Sequence, residues 1–165
     1  MAGSSRCVVA LVVISVVACA GRRFSDLAPM DFNTPSGLFL GGSASAILEH
    51  LGQPRDRDTL NYEVLIQDFW KYDDQEFVLF FVGRPYSWTI TARGPATYRG
   101  LRVGDSLAGA LTLYGRPTEI ERTGDSTVAT WVMPPRWYPK FGIAVTAIRD
   151  TIRSITVGEL LLVIM

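Results

Sequence analysis

Two stretches of the chain repeat one pattern, GLFLGGSASAILEHLGQP at residues 37–54 and GLRVGDSLAGALTLYGRP at residues 100–117. Seven of the 18 aligned pairs are identical, at an offset of 63 residues. Each stretch has a serine just before an apolar run and ends on Gly-x-Pro. A serine in that place caps a helix, a glycine accepts the left-handed conformation after the last turn, and a proline stops the helix from resuming. The pattern predicts two short helices, capped by Ser43 and Ser106.

Segments with strand character follow each predicted helix. They are rich in β-branched and aromatic residues and are separated by turn residues, which is typical of antiparallel strands. Residues 62–72, 77–82 and 87–92 follow the first helix, and residues 117–122, 126–133, 142–148 and 151–157 follow the second. Residues 55–58, in which arginine and aspartate alternate, are predicted to form a charged loop.

We therefore predict an α+β fold of two tandem helix-plus-antiparallel-sheet repeats, each with about three strands. The repeats would span residues 35–95 and 96–165, with the short helices packed on one face of the sheet. The apolar C-terminus, residues 160–165, would add a last edge strand; a partner-docking tail or a truncated gene would produce the same pattern.

The N-terminus carries the features of a bacterial lipoprotein signal. An apolar run of about 12 residues ends at residue 18 and is too short for a membrane span of roughly 20 residues. The following cysteine completes a Val-Val-Ala-Cys sequence that resembles a lipobox. That resemblance implies a signal peptide over residues 1–18, lipid attachment at Cys19 and a linker over residues 19–34. An ordinary secretion signal or a buried N-terminal strand is the alternative.

The residue after the lipidated cysteine bears on localisation. Ala20 takes the place of the aspartate that favours inner-membrane retention. In a Gram-negative host, this predicts a lipid-anchored protein of the outer membrane that faces the periplasm, with the membrane as its first partner.

Composition excludes several classes of function. Lys+Arg and Asp+Glu both number 16, and the zero net charge argues against nucleic acid as the main partner. One His and two Cys argue against a multi-histidine metal site or a zinc ribbon. We expect no metal, no cofactor and no enzymatic activity.

Two polar features are predicted to be structural. His50 lies on the first helix with no triad around it, so it is predicted to be a partly exposed helix residue. Asp73, Asp74 and Glu76 lack the ligand spacing of a calcium loop and are predicted to form a solvated hairpin turn.

The proline-rich segment 133–140 is the candidate partner-binding loop. It presents Arg136, Trp137, Tyr138 and Lys140 between three prolines. Tryptophan, tyrosine and arginine are enriched in binding hot spots, and a stiff loop loses less entropy on docking. The alternative is a loop that folds back and caps the sheet with its aromatic side chains.

The order of motifs resembles a family of small lipoproteins. Gly-x-x-x-Gly-x-Ser, a short helix, Gly-x-Pro and aromatic strands are similar to the SmpA/OmlA-type outer-membrane lipoproteins. Two such units in tandem, over residues 35–158, resemble the β-lactamase inhibitory protein fold. The resemblance implies binding through an open sheet face or loops, without a catalytic centre.

These observations lead to an expected function. The chain is predicted to be a membrane-anchored, non-enzymatic binding or scaffold lipoprotein of the cell envelope, serving outer-membrane assembly or integrity, with an envelope protein as partner. The alternatives are an extracytoplasmic inhibitor or sensor that captures a protein or ligand, and a hydrolase of envelope polymers.

Overall fold

The computed structural model describes residues 27–34, 38, 40, 42–62, 65–80, 83–133 and 141–160. A short 3-10 helix, Pro29–Phe32, precedes the regular elements. In chain order these are α1 Ala44–Leu51, β1 Asp56–Tyr62, β2 Leu65–Lys71, β3 Gln75–Phe80, β4 Arg84–Ile90, α2 Leu107–Tyr114, β5 Glu119–Thr123, β6 Ser126–Val132, β7 Phe141–Ile148 and β8 Thr151–Glu159.

Both helices begin and end as the sequence predicts. The hydroxyls of Ser43 and Ser106 each accept a hydrogen bond from the backbone N–H three residues later. Gly52 and Gly115 follow the last turns with φ of 72° and 71°, a left-handed conformation that glycine adopts without strain. The predicted capping serines are confirmed.

The eight strands of the described residues belong to one antiparallel sheet in the order β1-β2-β3-β4-β8-β7-β6-β5. The two central strands pair from Ser87 opposite Gly158 to Ile90 opposite Ile155. The strands that follow α1 therefore continue without a break into those that follow α2. The edge strands β1 and β5 both carry charged side chains, which oppose pairing with another chain.

The predicted fold class, an α+β arrangement of two tandem helix-plus-sheet repeats, is wrong. The described part of the chain is largely β, with a single eight-stranded sheet and two helices of eight residues each. One reason is that Asp56–Tyr62, in the segment predicted as a charged loop, pairs along its whole length with β2. Its residues 56–61 are exposed, and an edge strand that is solvated on both sides tolerates charge. The other reason is the pairing of β4 with β8, which leaves no boundary in the sheet.

One face of the sheet carries the hydrophobic core. A row of large apolar side chains crosses six strands as successive cross-strand neighbours: Trp70, Phe77, Trp88, Val157, Ile143 and Trp131. All six belong to one buried cluster, together with Ile47 of α1 and Ala110 of α2. Each fully buried side chain of this size contributes about 1.5–3 kcal/mol. We call this side of the sheet the core face.

A partly buried ion pair attaches residues 27–34 to the rest of the core. Asp31 is 1% exposed, and the guanidinium of Arg99 donates to both of its carboxylate oxygens over 2.6 and 2.7 Å. The same guanidinium donates to the Leu113 carbonyl over 2.9 Å and lies 5.0 Å from the centre of the Tyr114 ring. The bidentate pair therefore ties the segment before α1 to the last turn of α2.

Candidate functional site

The face of the sheet opposite the core face is the candidate site, and we call it the outer face. Successive side chains of a strand point to opposite faces, so the residues next to the core row define it. One row spans all eight strands: Asp56, Lys71, Glu76, Thr89, Thr156, Ala144, Thr130 and Glu119. In the described part of the chain, none of these side chains joins the hydrophobic cluster on the core face, although Thr156 and Ala144 are themselves buried, at 6% and 8% exposed.

Small side chains form the middle of the outer face. Thr89 and Thr156 face each other across the central strand pair, and their hydroxyl oxygens are hydrogen bonded at 3.1 Å. Ala144 and Thr130 continue this row on β7 and β6. The centre therefore consists of short, uncharged side chains, of which Thr89 and Thr130 are partly exposed, and its hydroxyl groups can donate and accept hydrogen bonds.

Gly158 allows the central strands β4 and β8 to approach each other closely, and we call their line of pairing the seam. A β-bulge places the extra residue Tyr86 in β4, and the Tyr86 carbonyl comes against Gly158. A Cβ at residue 158 would collide with that carbonyl, and the glycine φ of 127° is one that other residues rarely adopt. Any other residue here would push the two central strands apart.

Carboxylates stand at both edges of the outer face. Asp56 and Asp58 belong to the β1 edge, while Glu119 and Glu121 belong to the β5 edge. None of these four carboxylates takes part in an ion pair within the described residues. Seven interstrand spacings of about 4.8 Å place the two edges about 34 Å apart. A floor of short, uncharged side chains thus lies between two edges that carry carboxylates, with Lys71 opposite Asp56 at the β1 edge.

Apolar groups are spread over the same face. Phe69, Val128 and Val132 are partly exposed and lie in register with outer-face neighbours. Leu60 and Ile148 are 39% and 42% exposed. Apolar side chains among hydroxyls and peripheral charges are the ordinary composition of a protein-binding surface.

Three groups in the described chain have raised pKa values, and burial is the main cause in each. Burial raises the pKa of Tyr114 to about 12, although its hydrogen bond to the Thr97 hydroxyl at 2.7 Å acts in the opposite direction. Burial also raises the pKa of Tyr72 and that of Glu159. The tyrosines stay neutral near pH 7, so only Glu159 has a shift that matters below neutrality.

The residues predicted to bind lipid or a partner lie outside the described residues. This applies to Cys19 and to Arg136, Trp137, Tyr138 and Lys140. Their loop connects β6 to β7, so it leaves the sheet beyond the outer-face pair Val132 and Gly142. Because the loop follows β6 in the chain, it begins at one end of the outer face.

The other polar residues singled out in the sequence lie apart from the centre of the outer face. His50 is an exposed residue of α1, as predicted. Asp73 and Asp74 lie in the turn between β2 and β3, as predicted, where Asp73 pairs with Arg55 at 3.0 Å. Glu76, in contrast, belongs to β3 and to the outer-face row. No group of three or more His, Cys, Asp or Glu within the described ranges is placed to hold a metal ion.

The resemblance implied an open sheet face, but the residues of the outer-face row were not predicted. The sequence contains a pattern that could have predicted this row: hydroxyl residues alternate with large apolar residues, as in Ser87-Trp88-Thr89 and Ser154-Ile155-Thr156. A strand of that composition buries one side and presents hydroxyls on the other.

Comparison with known proteins gives one likeness. No protein-family model matches the chain. No curated protein sequence matches it. Among solved structures, it is similar to a Streptococcus mutans protein provisionally named a beta-lactamase inhibitor protein, with 13% identity, 76% of this chain and 88% of that chain covered, and a TM-score of 0.34. A TM-score this low does not show a shared fold, so the resemblance to SmpA/OmlA-type lipoproteins stays a prediction.

No helix in the described segments is long and apolar enough to cross a bilayer.

Glu159 generates a prediction about the pH dependence of stability. The raised folded-state pKa means that ionisation of this 9% exposed carboxyl opposes folding. The stabilising contribution of the Glu159 carboxyl is fully present below the pKa of the unfolded state. It is lost as the pH rises through the pKa of the folded state. Glu159→Gln should therefore raise the free energy of unfolding near about pH 7 and leave it almost unchanged near about pH 3, as measured by urea denaturation.

The matched control is Glu119→Gln on the exposed edge strand, where a surface substitution should change stability little. A loss of stability in Glu159→Gln at neutral pH would contradict the assignment, because it would mean that the ionised carboxylate is stabilising.

Proposed function

We propose that the chain is a non-enzymatic, lipid-anchored lipoprotein of the bacterial envelope that holds a protein partner on its outer face. The observation that carries the proposal is the eight-residue row that spans the whole sheet opposite the core. The row joins a hydroxyl floor to carboxylates at both edges, from Asp56 to Glu119.

The size of the outer face favours a protein over a small molecule. Strands of about seven residues are about 23 Å long, so a face about 34 Å wide has an area of roughly 800 Å². One partner contributes a comparable area of accessible surface to a standard protein–protein interface, so the sheet is wide enough to carry one. Small ligands are instead held in concave pockets that surround most of their surface.

The charge pattern favours a partner with cationic side chains at the margins of its contact surface. Carboxylates at the rim steer a cationic partner and set its orientation, while the desolvated centre contributes most of the affinity. The acids at the two edges, which form no ion pair with any described residue, suit that role. Arg136, Trp137, Tyr138 and Lys140 would extend the surface at the end where the β6–β7 loop leaves the sheet.

The proposed lipid anchor is supported by the sequence alone. The apolar run that ends in Val-Val-Ala-Cys supports lipid attachment at Cys19 after removal of residues 1–18. Ala20 supports sorting to the outer membrane, with the folded part in the periplasm. A scaffold in outer-membrane assembly and a protein-capturing inhibitor would both use this arrangement.

The binding surface can be tested by placing a photoreactive amino acid at Thr130 or at Thr112 in the native cell. Thr130 lies on the outer face, whereas Thr112 is an exposed threonine of α2 on the other side of the sheet. Illumination should yield a protein adduct from residue 130 and none from residue 112, and mass spectrometry would identify the partner.

A third probe at Trp137 separates the loop from the outer face. Adducts from residues 130 and 137 would show that both contact the partner. Adducts from residue 137 alone, or from residue 112 alone, would contradict the outer face as the site.

The anchor is tested separately by Cys19→Ser. Loss of the attachment thiol should move the protein from the membrane fraction to the soluble fraction, because stable anchoring needs the acyl chains. Cys7→Ser, in the predicted signal peptide, is the control and should leave the protein in the membrane. Continued membrane association of the Cys19→Ser protein would contradict lipidation at this residue.

A further inference from the structure

Three exposed apolar residues lie at or next to the contacts of the ion pair that holds the N-terminal segment. Met30 is 52% exposed, Tyr98 is 48% exposed and Leu113 is 36% exposed. They come from three parts of the chain: the 3-10 helix, the connection between β4 and α2, and the last turn of α2. We call these three residues the anchor patch.

One guanidinium holds the three parts of the anchor patch together. Arg99 follows Tyr98 in the chain, donates twice to the carboxylate of Asp31, the neighbour of Met30, and donates to the Leu113 carbonyl. The backbone under each exposed side chain is therefore fixed at or next to a contact of Arg99. The patch is built on rigid structure, and the charge at its centre is compensated by Asp31.

The anchor patch belongs to the layer that covers the core face. Phe32, two residues after Met30, is buried, and its ring meets that of Phe141 edge to face at 5.7 Å. Tyr114, next to Leu113, is part of the same buried cluster. The sheet therefore separates the anchor patch from the outer face.

The predicted lipid attachment site lies close to this patch along the chain. Eight residue steps separate Cys19 from Leu27, which is already buried in the core. A fully extended chain of that length reaches about 28 Å. Arg22 and Arg23 lie within it, and basic residues are attracted to anionic headgroups.

We infer that the anchor patch rests on the membrane surface, with Met30, Tyr98 and Leu113 in the interfacial region. Apolar side chains and a tyrosine with its polar tip are the groups that suit this region. This inference rests on the lipid anchor of the proposed function and deepens it, because it states how the anchored protein is oriented on the membrane. The outer face then points away from the membrane, toward a partner in the aqueous phase.

The test uses the lipidated protein, in which Cys19 is blocked and residues 1–18 have been removed. A cysteine introduced by Leu113→Cys or Ile148→Cys is then the one free thiol and takes a bimane fluorophore. Leu113 and Ile148 are similar in size and exposure, but Ile148 lies on the outer face. Both proteins are reconstituted in phosphatidylcholine vesicles that contain phosphatidylglycerol and brominated lipid.

Bimane at residue 113 should lose about half of its fluorescence to brominated lipid and be protected from aqueous iodide, because interfacial groups insert about 5–10 Å into the headgroup and acyl boundary. Bimane at residue 148 should respond to iodide and not to bromine. Adding Met30→Ser and Tyr98→Ser to the Leu113→Cys protein should abolish the difference between the two probes. Equal quenching of both probes by iodide, without that difference, would overturn the inference.

Flotation of the same samples separates failure of the anchor from failure of the orientation. If the protein does not float with the vesicles, the lipid at Cys19 is missing and the proposed anchor is wrong. The two probes are then repeated in a chain with Cys7→Ser and Cys19→Ser, held on nickel-chelating lipid by an N-terminal histidine tag. Bromine quenching at residue 113 alone would still support the patch, and its absence would overturn it.

Discussion

The pairing of β4 with β8 is the constraint on which the rest of the structure depends. Four residue pairs, from Ser87 opposite Gly158 to Ile90 opposite Ile155, join the strands after α1 to those after α2. The core row and the outer-face row both cross this seam. Trp88 meets Val157 on one side and Thr89 meets Thr156 on the other, so one strand pair aligns both surfaces. Because Tyr86 is bulged against Gly158, a change at this glycine would disturb both rows together.

Local signals in the sequence account for much of the fold. Serine caps, post-helical glycines and strand-forming runs predict both helices and seven of the eight strands, with strand starts within three residues of the observed bounds. Each of these features is decided by neighbouring residues. The strand Asp56–Tyr62 was missed because an edge strand exposed on both sides has no apolar alternation to reveal it. The joining of both halves into one sheet was missed because pairing between β4 and β8 links residues about sixty-seven positions apart in the chain.

The candidate site was predicted less well than the fold. The loop with Trp137 and Tyr138 was predicted as a site because its residue types are typical of binding hot spots, whereas the outer-face row consists of common residues: three threonines, three carboxylates, an alanine and a lysine. Such a surface becomes visible only when the register places residues from eight strands in one line. The ion pair of Asp31 with Arg99 was equally hidden, since a residue predicted to lie in a linker pairs with one 68 positions away.

The outer face and the anchor patch fit into one arrangement. Arg99 fixes the N-terminal segment on the core side of the sheet, near the place where a lipid at Cys19 would hold the chain. A protein held from that side turns its outer face, with the uncharged floor and the carboxylates at its edges, away from the membrane. In the proposed function the sheet therefore acts as a spacer of fixed orientation between a membrane and a protein partner.

Native-state hydrogen exchange at the seam tests the central claim most directly. If β4 and β8 unite the two halves, the backbone amides of residues 87–90 and 155–158 should exchange only by global unfolding. Their exchange should give the same free energy as the amides of the neighbouring strands β3 and β7, and that value should match the free energy of unfolding from urea denaturation. Exchange of β5–β8 as a unit at a distinctly lower free energy, while β1–β4 stays protected, would contradict the account, because the halves would then be separate structures.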